Sequence, residues 1–240
     1  MSSRLVVTLL FCLCEGVSSI EGQGASLRLD TKLLALRVDS LAVFLIRGND
    51  TVRTGSIIDE LRIEEKHLVR IDAMSDRILG NTVDTIVSSL EDLRPLKYST
   101  HSPSQVTHLS FRSTEVTGWS RLPNGDSTTI RTELPTVVYD GASFDLVIRA
   151  SPLAPSFELT VPSFLVGPNT VGKLTAAVTG TEIVAGRPCW VVKAHFASMP
   201  VTFWIDKENR SLRRQLMQPR IDMSILITIP KPRGASGRAT

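Results

Sequence analysis

The segment 221-IDMSILITI-229 has a period of two. Ile221, Met223, Ile225, Ile227 and Ile229 fall on one side, and Asp222, Ser224 and Thr228 on the other. A period of two is the signature of an extended strand with one buried face, and no helix can sort these residues that way. The same parity recurs in 188-PCWVVKAHF-196, where Trp190, Val192, Ala194 and Phe196 oppose Cys189, Val191, Lys193 and His195. It recurs again around Ile57, Leu61 and Ile63. A chain built from such segments must stack its apolar faces as a sandwich or curl one sheet around its own interior.

Turn chemistry divides these runs. Asn124-Gly125 lies between two extended stretches and predicts a tight type I′ hairpin, since both residues tolerate positive φ. The polar stretches 206-DKENR-210 and 47-RGNDT-51 predict two more hairpins. One segment breaks the pattern. In 139-YDGASFDLVIRASPL-153, Asp140 or Ser143 can cap a helix carrying Phe144, Val147 and Ile148, with Pro152 after it, so a short helix is expected at about 143–151. The expectation is a mainly β protein of about ten strands in one antiparallel domain, residues 26–229, with one or two short helices and a disordered tail at 230–240.

The first residues read differently. Arg4 precedes the apolar run 5-LVVTLLFCLC-14, followed by small and polar residues up to Ala25. This is the layout of a secretory signal peptide over residues 1–25, cleaved between Ser19 and Ala25, and it predicts export to the periplasm or cell envelope. The run is too short to cross a bilayer, which takes about 20 residues. Phe11 and Leu13 stand before Cys12 and Cys14 where a lipoprotein signal needs a small residue. Of the three cysteines only Cys189 would remain after cleavage, so the mature chain is expected to rely on its core, without a transmembrane segment. A formal charge of +3, with basic residues spread along the chain, gives no basis for a nucleic-acid partner.

Catalytic and metal-binding patterns are lacking. No G-x-S-x-G, H-E-x-x-H, phosphate-cradling glycine loop or C-x-x-C occurs. His101 and His108 can approach across a turn but bring no carboxylate or cysteine with them. Cys189 and His195 lie about 20 Å apart along one strand, too far to act as nucleophile and base. Adjacent pairs such as Glu64-Glu65 diverge rather than form an acid/base dyad. No cofactor is implied, and the expectation is a protein without catalytic activity.

Four segments, in order, resemble a family of exported bacterial proteins of unknown function, DUF3108. They are 84-DTIVSSLEDLRPLKYST-100, 138-VYDGASFDLVIRASPL-153, 182-EIVAGRPCWVV-192 and 202-TFWIDKENRSLRRQ-215. The resemblance implies an architecture similar to the LolA/LolB lipoprotein carriers: a strongly curved antiparallel half-barrel whose apolar concave face, in the carriers, holds acyl chains. Two departures limit the transfer. The carriers have more helix plugging the barrel, and no arginine here matches their functional one.

If the sheet curls, Trp190, Val192, Phe196, Ile225 and Ile227, with Phe144 from the helix, are the expected lining of a groove for a lipid tail, another apolar molecule or an apolar segment of an envelope protein. Two alternatives stay open: a scaffold whose sheet is filled by side chains, and a cofactor-free enzyme working at the groove mouth. Trp204 alternates with Phe203 and Ile205 beside a polar hairpin, and its side of the sheet is undetermined. Packing is the default for a strand tryptophan.

Overall fold

The computed structural model describes residues 27–230 apart from 79, 197 and 198. The expected signal peptide and residues 231–240 of the expected tail therefore lie outside the described residues. The strands are β1 (Val38–Arg47), β2 (Asp50–Glu64), β3 (His67–Asp76), β4 (Gly80–Ser89), β5 (Pro95–His101), β6 (Val106–Phe111), β7 (Glu115–Arg121) and β8 (Ser127–Glu133). After them come β9 (Tyr139–Asp140), the helix α1 (Phe144–Arg149), β10 (Glu158–Leu165), β11 (Thr170–Val184) and β12 (Arg187–Phe196). The chain finishes with β13 (Met199–Asp206), β14 (Leu212–Arg220) and β15 (Met223–Thr228).

All fifteen strands belong to one sheet, in the order β8 to β1, then β15 back to β9. Every pairing is antiparallel except the short one between β9 and β10. The first strand is thus central, and the chain runs outward to the β8 edge. It then crosses to the β9 edge and returns inward until β15 pairs with β1.

The crossing forces the curvature. Laid flat, fourteen strand spacings would separate the two edges by about 67 Å. Only residues 134–138 connect β8 to β9, a reach of about 20 Å even when fully extended. The sheet must therefore curl until its edges face each other. No β8–β9 pairing closes it into a barrel. Side chains seal the seam instead. Phe111 and Phe164 meet edge to face with centroids 5.6 Å apart, and the Thr132 hydroxyl donates to the Asn169 carbonyl at 3.1 Å.

Inside the curl sits α1, whose six residues are all buried. Asp140 caps the preceding 3-10 turn, Gly141–Ser143, by accepting from the Ala142 amide at 3.1 Å. Phe144, Leu146, Val147 and Ile148 pack into the largest core cluster, together with Leu174, Val192, Phe203 and Ile205 from the returning strands.

Three local expectations change. About ten strands were expected and fifteen form, because several turns carry no proline or Asn-Gly mark. The β2–β3 turn uses Glu65 at positive φ, 54°. The Asn124-Gly125 turn is not type I′, since only Gly125 has positive φ, at 93°. Pro123 has its φ fixed near the type I value, so the turn spans 122–125, with the Gly125 amide donating to the Leu122 carbonyl at 3.0 Å. The last strand starts at Met223 rather than Ile221. Arg220 pairs with Met223, which makes Ile221 and Asp222 the hairpin tip and leaves Ile221 exposed.

Candidate functional site

The site is built by strand register. Asp59 of β2 stands directly opposite Asp72 of β3, which stands opposite Asp84 of β4. The series continues through Thr100 of β5 and Thr107 of β6 to Ser120 of β7. Directly opposed residues project to the same face, here the concave one. A polar row therefore crosses six strands within an otherwise apolar wall. The neighbouring row is Leu61, Arg70, Ile86, Tyr98 and Leu109, in which Arg70 is the one charge.

Arg70 gathers three carboxylates. Its Nε lies 3.1 Å from Asp59 Oδ1 and 3.0 Å from Asp72 Oδ2, and its Nη1 lies 2.5 Å from Asp145 Oδ1. Asp145 belongs to α1, so this contact pins the helix to the wall. One turn later Arg149 donates to Asp145 Oδ2 at 3.2 Å and to the Arg210 carbonyl at 2.8 Å. Burying such a set is costly unless the charges are paired. Two guanidiniums face three carboxyls, so one negative charge is in excess.

A proton on Asp72 relieves it. Burial, reinforced by Asp59 and Asp145 and opposed by Arg70, pushes the Asp72 carboxyl up to about 8. Its Oδ1 is buried with no donor to accept from, which suits a protonated oxygen shared with Asp59. Asp145 moves the other way: burial would raise it, but Arg70 and Arg149 outweigh burial and hold it below the usual carboxylate range. Asp140, fully buried beside the turn into α1, is pushed up to about 6, chiefly by burial. The Tyr98 hydroxyl donates to Asp84 at 3.4 Å, and burial, then the charges of Asp84 and Asp140, raise its pKa.

Beside this wall a cavity of about 300 Å3 opens between α1 and the sheet. Leu41, Ile57, Met74, Phe144, Phe196 and Phe203 give it apolar sides, and Arg70, Asp72, Thr82, Asp84 and Gln215 a polar one. Of the residues expected to line a groove, Phe144, Phe196 and Ile227 do so, with Phe144 and Phe196 edge to face at 5.5 Å. The other three take different places. Val192 is fully buried in the core, opposite Val178 and Phe203. Trp190 is half-buried with the Lys207 ammonium 4.0 Å over its ring. Ile225 packs in a small cluster with Leu41, Val43 and Met217.

The polar wall escaped sequence reasoning. Its trace was present in 68-LVRIDAM-74, where Arg70 and Asp72 occupy the parity of Leu68 and Met74, and in Asp59 between Ile57 and Leu61. Charges on the apolar parity of a strand are either errors of register or members of a buried cluster.

Trp204 lies on the convex face. It packs with Val184 and Cys189, donates from Nε1 to Glu182 Oε2 at 2.6 Å, and has the Arg214 guanidinium 5.2 Å over its ring. The adjacent polar turn is held by Asp206, whose Oδ1 accepts from the Glu208 and Asn209 amides at 2.9 and 3.3 Å. His101 and His108 do meet, edge to face at 5.2 Å, and His108 rests 4.6 Å from the Trp119 ring. Among the described residues no group of three or more His, Cys, Asp or Glu side chains is placed to hold a metal ion, and no helix is long and apolar enough to cross a membrane.

A family model described as a protein of unknown function (DUF3108) matches residues 48–223, most of the chain. The chain belongs to the DUF3108 family. Its matched span runs from the β1–β2 turn to the start of β15 and so takes in the whole polar wall and α1. Among solved structures, the DUF3108 chain is similar to a beta-barrel-like protein of the domain of unknown function DUF1849 from Brucella abortus. The identity is 11%, the TM-score 0.52, and the match covers 82% of this chain and 98% of that one. At that identity the likeness concerns the fold. No curated protein matches the chain.

Proposed function

We propose that this DUF3108 protein is a non-catalytic binding module of the cell envelope, which takes an apolar group such as a lipid tail or acyl chain into its concave face. The observation that carries the reading is the cavity of about 300 Å3 left open although α1 already fills the centre of the curl. That volume is at the lower end for ligand sites, which run from about 300 to 1,000 Å3, and apolar walls with a few convergent polar groups are their usual lining. The resemblance to lipoprotein carriers, whose concave faces hold acyl chains, supports the same reading. The envelope location rests on the signal-peptide pattern of residues 1–25.

A second reading has one observation behind it. A carboxyl pushed up to about 8, as Asp72 is, could act as a general acid or base near neutral pH. Binding is preferred because Asp72 is committed to Arg70 and Asp59, the arrangement of a structural ion cluster.

Native mass spectrometry of protein purified from its own envelope without detergent, followed by solvent extraction, tests the proposal. A co-purifying amphiphile at about one per chain is expected. A clean apo mass that takes up no added fatty alcohol or phospholipid would sink it.

A further inference from the structure

A second cavity, of about 360 Å3, adjoins the first. Both are lined by Gly141, Ala142 and Phe196, so only the turn into α1 and one aromatic ring separate them. That partition is thin by necessity, since a Cβ at Gly141 would stand 3.2 Å from the Phe164 carbonyl oxygen and 3.3 Å from the Phe196 ring.

The two cavities differ in their polar groups. The first is mostly apolar. The second also has apolar sides, from Leu165, Val166 and Phe196, but its polar groups are hydroxyls and an amide, from Tyr98, Thr100, Ser102, Ser104, Gln105 and Thr107, where the first cavity has carboxyls. The polar row runs under both. Asp72 and Asp84 stand at the first cavity and Thr100 and Thr107 at the second, with about 14 Å from Asp72 to Thr107 at three strand spacings.

Charge narrows what could lie along this row. Arg70 is the only cation among the described residues lining either cavity, and Asp59, Asp72 and Asp145 already occupy its guanidinium. A carboxylate or phosphate would therefore enter beside Asp84 and Asp145 with no free cation to meet it, a repulsive arrangement in a poorly solvated site. An ammonium group would find carboxylates in the first cavity but only hydroxyls in the second. An uncharged head group bearing several hydroxyls suits the second cavity: its O–H groups can donate to the Thr, Ser, Tyr and Gln oxygens there, and it brings no charge that would need a partner.

We propose that the two cavities form one groove for a single amphiphile, with its alkyl chain in the first and an uncharged, hydroxyl-rich head group of the sugar or glycerol kind in the second. This rests on the first cavity being an apolar binding site.

The test is calorimetric titration of the purified protein with n-octyl β-D-glucoside, octanoate, octylamine and 1-octanol, each below its micellar concentration or, for octanol, its solubility limit. The glucoside should bind at least ten-fold more tightly than the other three. Combined Thr100→Val and Thr107→Val replacement, which keeps side-chain shape and suits a strand, should bring glucoside binding down to that of octanol. If octanoate or octylamine matches the glucoside, or octanol does, the head-group inference falls while the apolar cavity stands. If none of the four binds, the cavity reading falls and takes the inference with it. The wild-type ranking decides the matter even if the double variant fails to fold.

Discussion

Replacing Asp72 by Asn should stabilise the protein at pH 8 and do much less at pH 5. The folded carboxyl holds its proton up to about 8, whereas an unfolded aspartate loses it near 4. Between those values the native state binds a proton that the unfolded state has released, so stability falls as pH rises and levels off above about 8. The buried Asp140, pushed up to about 6, contributes in the same direction but only at the lower end of the range. From pH 6 to 8 the fall therefore belongs to Asp72. At about 1.4 kcal/mol per pH unit for one proton, the two units amount to about 3 kcal/mol. That figure is a ceiling, because 22% of the Asp72 side chain is exposed and partly screened. In a domain of this size it corresponds to a drop in Tm of roughly 6–12 °C. Asn has the shape of the protonated acid, can donate to Asp59 as the acid does, and does not titrate. Thermal or urea unfolding of both proteins at half-unit steps from pH 5 to 8.5 makes the comparison. Wild-type stability that is flat or rises between pH 6 and 8 would refute the reasoning. So would an Asn variant that loses as much at pH 8 as at pH 5.

Arg70→Leu leaves Asp59, Asp72 and Asp145 facing one another and should cost about 3–5 kcal/mol by urea unfolding at pH 7. The loss should shrink at pH 5, where protonation relieves the repulsion. Trp204→Ala removes the centre of the convex cluster and should cost about 3 kcal/mol while leaving amphiphile titrations unchanged. Gly118→Ala puts a Cβ 2.0 Å from the His108 carbonyl oxygen on the concave face, a clash with backbone that should cost about 1–3 kcal/mol or more. Gly180→Ala meets nothing within 4 Å and should leave the denaturation midpoint unchanged or slightly raised.

Strand parity was legible and reliable where it was long. Trp190, Val192 and Phe196 were placed together, and the structure puts Val192 in the core and Phe196 at the cavity, both on the concave side. Parity could not say which concave residues border empty space, because that depends on how deeply α1 sits, and α1 is placed by Arg70 and Asp145, 75 residues apart. The helix itself was readable from its caps and the proline after it. The acidic wall was not, because Asp59, Asp72 and Asp84 come together only through the register set by the turns after β2 and β3. The β2–β3 turn, at Glu65 and Lys66, has no glycine or proline to fix it in a sequence reading. The curl was implied by alternation, but its extent follows from the short 134–138 crossing, which needs the strand order to be known.

Filling the cavity tests the central claim most directly. Ile57 lines it from β2, and an Ile57→Trp side chain would project into it from a position that is only half-buried. Calorimetric titration with n-octyl β-D-glucoside, on wild-type protein and on Ile57→Trp of matched melting temperature, reads the stoichiometry in each. The account predicts about one molecule per wild-type chain and none in the variant. Equal binding by both would place the ligand elsewhere and contradict the concave-face site.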